Sequence, residues 1–239
     1  MKLPRDYIIF PLDLPNRKEA MRYVGILKDS VGLFKVGLEL FIAEGPGIIS
    51  ALRQETAAGI FLDLKLHDIP ETMRRAFLSA SAHGAAFVTV HCEQGQEMLK
   101  AAADAAHGET KILAVTVLTS LNSGHLVSLG YREDLSRDLK RLVLLKTRVA
   151  RDAGCHGVVC SGHEVGAVKK EFGRDFLAVT PGIRPKWSII DKDDQQRIVT
   201  PADAVGYGAD YLVIGRPIRD ARDPKEACER TAEEIASVL

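Results

Sequence analysis

The amino-acid sequence predicts an α/β fold, a single-domain (β/α)8 TIM barrel over residues 1–239, on three observations. Short β-branched or apolar runs alternate with longer amphipathic ones. The short runs number eight, and eight β-α units in 239 residues match the size and rhythm of such a barrel. No linker-like or low-complexity stretch divides the chain. An open doubly wound sheet is the competing architecture, but no GxGxxG follows the first strand.

In chain order, YIIFPL (7–12) reads as the first strand and NRKEAMRYVGILKDS as the helix behind it. LFKVGL (33–38) is the second strand and GIFLDLKL (59–66) the third, followed by the helical TMRRAFLSASAHG. AFVTVH (86–91) and KILAVTVL (111–118) are strands four and five, and LSRDLKRLVLLKTRVARDAG is a long amphipathic helix after them. GVVCS (157–161), FLAVTP (176–181) and DYLVIG (210–215) complete the eight, and DPKEACERTAEEIASVL closes the chain as a helix. Several helical patterns stop at Gly, the residue that most easily takes the left-handed conformation at a helix C-terminus.

Composition narrows the function classes. Basic and acidic residues balance at 32 each, for a formal charge of +0, so no polyanion-binding face of the kind a nucleic acid needs is expected. Any anion must be met locally. The apolar run near the N-terminus is too short for a signal peptide, and no run of about 18 apolar residues offers a membrane span. A soluble cytoplasmic protein is the expectation. Cys92, Cys155, Cys160 and Cys228 form no CxxC pair and read as buried reduced thiols.

Strand three carries the strongest chemical signal. Side chains alternate faces along a strand, so Ile60, Leu62, Leu64 and Leu66 share the face that packs on helices, and Phe61, Asp63 and Lys65 share the one pointing into the barrel. Active sites of this fold sit at the C-terminal strand ends, which puts Asp63 and Lys65 at the mouth. A self-satisfied buried ion pair is the bland reading, but desolvation leaves such a pair little net stability, and that favours a functional role. Pro70 ends the strand and suits a helical first turn. Asp68 with Glu71 three residues later fits a capping box, so Asp68 stands between a helix cap and a functional residue. His67 reads equally as a loop histidine.

Other strand ends repeat the pattern. Asp13 ends strand one, Lys35 sits in strand two, His91 ends strand four, and Thr119 and Ser120 end strand five. A lone strand Lys often snorkels, and a lone His is often a satisfied core residue. Asp13, Lys35, Asp63 and Lys65 together form two acids and two bases converging on one mouth. Strand seven ends in Pro181-Gly182-Ile183-Arg184 and strand eight in Gly215-Arg216, the two places where barrels commonly hold a phosphate through backbone N–H groups and Arg. The long polar loop with Trp187 and Gln195, running to Thr200-Pro201, reads as a lid.

DLKLHDIPET, preceded by FPLDLP and FKVGLEL and followed by VTVLTS, TPGIRP, DDQQRIVTPADA and YLVIGRPI, resembles the orotidine 5′-phosphate decarboxylases from about residue 7 to the C-terminal helix. Asp-x-Lys-x-x-Asp alone also occurs in the hexulose-phosphate synthases and sugar-acid phosphate decarboxylases; the trailing Ile-Pro-x-Thr narrows the match. The resemblance implies cofactor-free, metal-free decarboxylation of orotidine 5′-phosphate to UMP. Lys65 would protonate carbon 6, Asp63 would lie beside the departing carboxylate, and Lys35 would link it to the ribose. Asp13 would contact ribose, Thr119 the pyrimidine, and Pro181, Arg184, Gln195, Gly215 and Arg216 the phosphate region. Gln195 is preferred to Gln196 on its spacing to Arg197 and Thr200-Pro201. Asp68, Ile69 and Thr72 would enter the neighbouring subunit's site, making the working unit a homodimer. His91 matches a family position without an assigned step. Two other readings stay open: a magnesium-dependent sugar-phosphate lyase on the same barrel, and a non-catalytic phosphate-binding barrel.

Overall fold

The computed structural model describes residues 2–106, 108–188 and 198–239. Eight parallel strands close into one barrel in chain order: β1 (Ile8–Pro11), β2 (Leu33–Val36), β3 (Gly59–Leu66), β4 (Phe87–His91), β5 (Lys111–Val115), β6 (Gly157–Val159), β7 (Leu177–Thr180) and β8 (Tyr211–Val213). Closure comes from β1 and β8, with Ile8 opposite Leu212 and Ile9 opposite Val213. The barrel expected from the alternation of runs is therefore the observed fold. Strand five is shorter than its apolar run: KILAVTVL was expected as strand to residue 118, but the strand ends at Val115 and the residues after it line the mouth.

The expected helices form at Arg17–Leu27, Pro70–Ala82, Leu139–Asp152 and Pro224–Ala236. Pro70 takes the first helical position, where its missing N–H has no partner to lose. Gly84 (φ 74°) and Gly154 (φ 91°) follow two of these helices in the left-handed conformation, as their patterns required.

Two apolar layers follow from strand alternation. Ile8, Phe10, Phe34, Ile60, Leu62 and Val88 face outward into the layer between barrel and helices. Ile9, Leu33, Phe61, Phe87, Leu113 and Val179 face inward and fill the lower barrel. Phe61 meets Phe87 edge to face at 5.9 Å, and Phe87 meets Tyr211 at 5.1 Å. Each such fully buried side chain contributes about 1.5–3 kcal/mol. The interior is thus a solid floor, and inward positions nearer the strand C-termini stand on it. The four cysteines are buried thiols within this packing, and burial pushes the Cys92 thiol up to about 12. No helix of the described residues is long and apolar enough to cross a membrane.

Candidate active site

Above the aromatic floor the inward positions become charged. Lys35 lies two residues beyond Leu33 on β2, and Asp63 two beyond Phe61 on β3, so parity alone stacks each on an interior apolar residue. Lys65 continues the same face, and Asp13 follows β1. The four are joined in a row: Lys35 Nζ is 2.9 Å from Asp13 Oδ1 and 3.6 Å from Asp63 Oδ2, and Lys65 Nζ is 2.9 Å from that same Oδ2. Lys35 and Asp63 are buried. Burial works to raise the Asp63 carboxyl, but Lys35, Lys65 and a hydrogen bond from Thr89 outweigh it and hold the group below the ordinary carboxylate range. Asp63 is therefore an anion at neutral pH.

The third strand is irregular where it carries this chemistry. Leu62 pairs with Val88, and the next pair is Leu66 with Val90, so β3 spends four residues where β4 spends two. Lys65 sits in this bulge with φ 50°, the only positive value among the described residues that are not glycine. That conformation costs an L-residue roughly 1–2 kcal/mol. Bulges of this kind re-aim side chains near the rims of barrels. The outward leucines keep their expected face: Leu64 and Leu66 pack against the outer core.

A cavity of about 340 Å³ opens over the row, lined by Asp13, Lys35, Asp63, Lys65, Thr119, Pro181, Arg184, Gly215 and Arg216 from the sequence-predicted set. The lining contributed after β7 and β8 is cationic and glycine-containing. Arg184 is buried, its Nη1 donating to the carbonyl of Ile183 at 3.0 Å. Gly182 adopts φ 75°, and a Cβ on Gly215 would come within 3.0 Å of Pro11 Cγ, so both places favour bare backbone. Arg216 opens the short helix Arg216–Arg219 that follows β8. Apolar residues, including Val115, Val117, Leu118 and Val159, make up much of the remaining lining. The lining thus combines a fixed row of alternating charge with three arginines, Arg184, Arg216 and Arg219, a composition suited to an anionic ligand.

Asp68, Ile69 and Thr72 do not line this cavity and are exposed. The capping box that Asp68 and Glu71 allowed does not form. Ile69 is the N-cap residue without a side-chain cap, Asp68 Oδ1 accepts from the adjacent Ile69 N–H at 2.7 Å, and Glu71 pairs with Arg74 and Arg75. Gln195 lies outside the described residues. His91 stacks on His67 with ring centroids 5.6 Å apart. Its pKa is lowered by burial, opposed by Glu93 and assisted by Lys146.

Two neighbours of the site escaped the sequence reading. Arg219 lines the cavity one helical turn beyond Arg216, and the spacing within GRPIR was the available signal. Thr89 on β4 is fully buried beneath Lys65 and bonds Asp63. As a β-branched residue inside VTV it looked like ordinary strand filler.

Comparison with known proteins agrees with this geometry. The family model described as Orotidine 5′-phosphate decarboxylase / HUMPS family matches residues 6–231. The chain is 46% identical over 239 residues to the orotidine 5′-phosphate decarboxylase of Desulfosudis oleivorans, covering 100% of this chain and 96% of that protein. It is 44% identical to the enzyme of the same name from Pelobacter propionicus, covering 98% and 96%. Among solved structures, orotidine 5′-phosphate decarboxylase from Lactobacillus acidophilus superposes with a TM-score of 0.82 at 36% identity, covering 95% of this chain and 98% of that one. With the barrel, the charged row and the full-length likeness in agreement, the chain belongs to the orotidine 5′-phosphate decarboxylase / HUMPS family.

Proposed function

We propose that this protein is a carboxy-lyase that converts orotidine 5′-phosphate to UMP and CO2 without a cofactor, in the cytoplasm. The observation that carries the reading is the row Asp13, Lys35, Asp63 and Lys65, an ion-paired chain ending in an ammonium at the mouth cavity. When the bond from carbon 6 to the carboxylate breaks, its electron pair stays on a ring carbon with no adjacent carbonyl to delocalise it. Stabilisation must then come from charge already in place. Lys65 is the fixed ammonium: it opposes the developing negative charge and then delivers its proton to carbon 6, leaving a neutral amine.

Asp63 sits beside the departing carboxylate in this reading. Two like charges about 4 Å apart at an effective dielectric near 20 repel by roughly 4 kcal/mol, a burden on the bound substrate that vanishes as CO2 leaves. Lys35, paired with both Asp13 and Asp63, keeps Asp63 ionised and reaches toward the ribose, which Asp13 also meets. Thr119 faces the pyrimidine. Pro181, Arg184, Gly215 and Arg216, with Gln195, hold the phosphate, whose binding energy orients a ring that reacts elsewhere. Asp68, Ile69 and Thr72, exposed beside the mouth, complete the site of a second subunit in a homodimer.

Purified, chelator-treated protein releases CO2 from orotidine 5′-phosphate on this reading. Correctly folded protein that releases none refutes it. Turnover of a keto-sugar phosphate that depends on added magnesium would support the lyase alternative instead.

A further inference from the structure

The β3 bulge takes the Lys65 N–H off the ladder it would otherwise share with β4. That N–H donates to Thr89 Oγ1 at 2.9 Å, and the same hydroxyl donates its proton to Asp63 Oδ1 at 2.9 Å. The other carboxylate oxygen, Oδ2, accepts from Lys65 Nζ at 2.9 Å. A closed circuit results, running from the Lys65 backbone through the Thr89 hydroxyl and the Asp63 carboxylate back to the Lys65 ammonium. Thr89 is 0% exposed and does not line the cavity, so it meets no ligand and no bulk water can take over its bonds. A hydroxyl is the smallest side-chain group that both accepts from a backbone N–H and donates to a carboxylate.

We propose that Thr89 is a positioning residue for the decarboxylation: its hydroxyl locks the left-handed backbone of Lys65 to the Asp63 carboxylate and so aims the ammonium at the reacting carbon. The inference rests on the decarboxylase reading above. It assigns a task to a residue on a different strand from the Asp-x-Lys-x-x-Asp element, and it explains how a strained conformation at Lys65 is held in place. Asp63 also faces Lys35 from β2 and Lys65 from its own strand, both at Oδ2, so losing Thr89 leaves it ionised but removes the bond that fixes Oδ1 and ties it to the Lys65 backbone.

The test compares Thr89→Val, which keeps the side-chain shape and deletes the hydroxyl, with Thr89→Ser, which keeps the hydroxyl. Thr89→Ala against Thr89→Ser asks the same question should the valine variant not fold. Misplacement of a reacting group by about 1 Å costs on the order of 100-fold in rate, so kcat falls about that far in the valine and alanine variants. Their dissociation constant for UMP stays within about threefold of wild type, and the serine variant keeps kcat within about threefold. The proposal is overturned if valine and alanine leave kcat within about threefold, if UMP binding weakens as much as kcat falls, or if serine is as impaired as alanine. Failure of the wild-type protein to decarboxylate the substrate would instead refute the decarboxylase reading. Crystal structures of the serine and alanine variants then decide the positioning claim separately, by whether φ of Lys65 and the Lys65–Asp63 contact persist only with serine.

Discussion

Replacing Lys35 by Met removes a charge while keeping an unbranched chain, and the structure fixes which neighbour suffers. Lys35 touches two acids, but their surroundings differ: the Asp13 side chain is 52% exposed and that of Asp63 only 11%. Water replaces the ammonium at Asp13, where an exposed pair is worth about 0–1 kcal/mol. It cannot do so at Asp63, where 3.6 Å at an effective dielectric near 20 corresponds to roughly 4–5 kcal/mol of attraction. Breaking one arm of a buried charge cluster typically costs about 3–5 kcal/mol, and Lys65 remains to hold Asp63 from the other side. The expected loss is therefore about 3–5 kcal/mol at pH 7, or a fall in Tm of about 6–20 °C at this chain length. Urea unfolding followed by circular dichroism measures it. The sign with pH follows from the depressed Asp63 carboxyl. Its stabilisation is present above the ordinary carboxylate pKa and is lost as pH falls through the lower folded value. Without Lys35 the folded value rises, so loss begins at higher pH, and the gap between wild type and variant narrows in acid. A cost below about 1 kcal/mol at pH 7, or a gap independent of pH, refutes the reasoning.

Lys65→Ala removes both the proton and the fixed charge, and kcat should fall at least about 1,000-fold while the UMP dissociation constant, read by calorimetry, changes little. If Arg216 holds the phosphate, Arg216→Ala should raise KM for orotidine 5′-phosphate roughly 10–100-fold, with no such change for the unphosphorylated nucleoside. If Asp68 serves the neighbouring subunit, Asp68→Ala and Lys65→Ala chains, each inactive alone, should regain about a quarter of wild-type turnover when unfolded and refolded together in equal amounts, through mixed dimers holding one intact site.

The sequence disclosed the barrel because each inward or outward position obeys strand parity, and the charged residues stood out as violations of an apolar pattern. Asp63 and Lys65 were legible for that reason. Thr89 was not, because a β-branched residue in a strand satisfies every local rule. Nor was the bulge, since Lys65 takes φ 50° without the Gly that usually announces such a conformation. The choice at Asp68 between helix cap and functional residue stayed open because pattern alone cannot decide between two successive residues at a helix start; Ile69 takes the cap position. Strand ends were overextended, most of all at β5, because apolar residues continue past the last ladder bond to line the cavity.

The pairing of β1 with β8 also orders the protein's biogenesis. Asp13, Lys35, Asp63 and Lys65 all lie in the first third of the chain, whereas Gly215 and Arg216 lie within its last 25 residues. A nascent chain thus carries the four residues of the charged row long before Gly215 and Arg216 have left the ribosome, and the cavity they line together is incomplete until the final strand docks against the first. Premature termination anywhere before β8 yields a chain that holds Lys65 but lacks the Gly215–Arg216 part of the cavity lining.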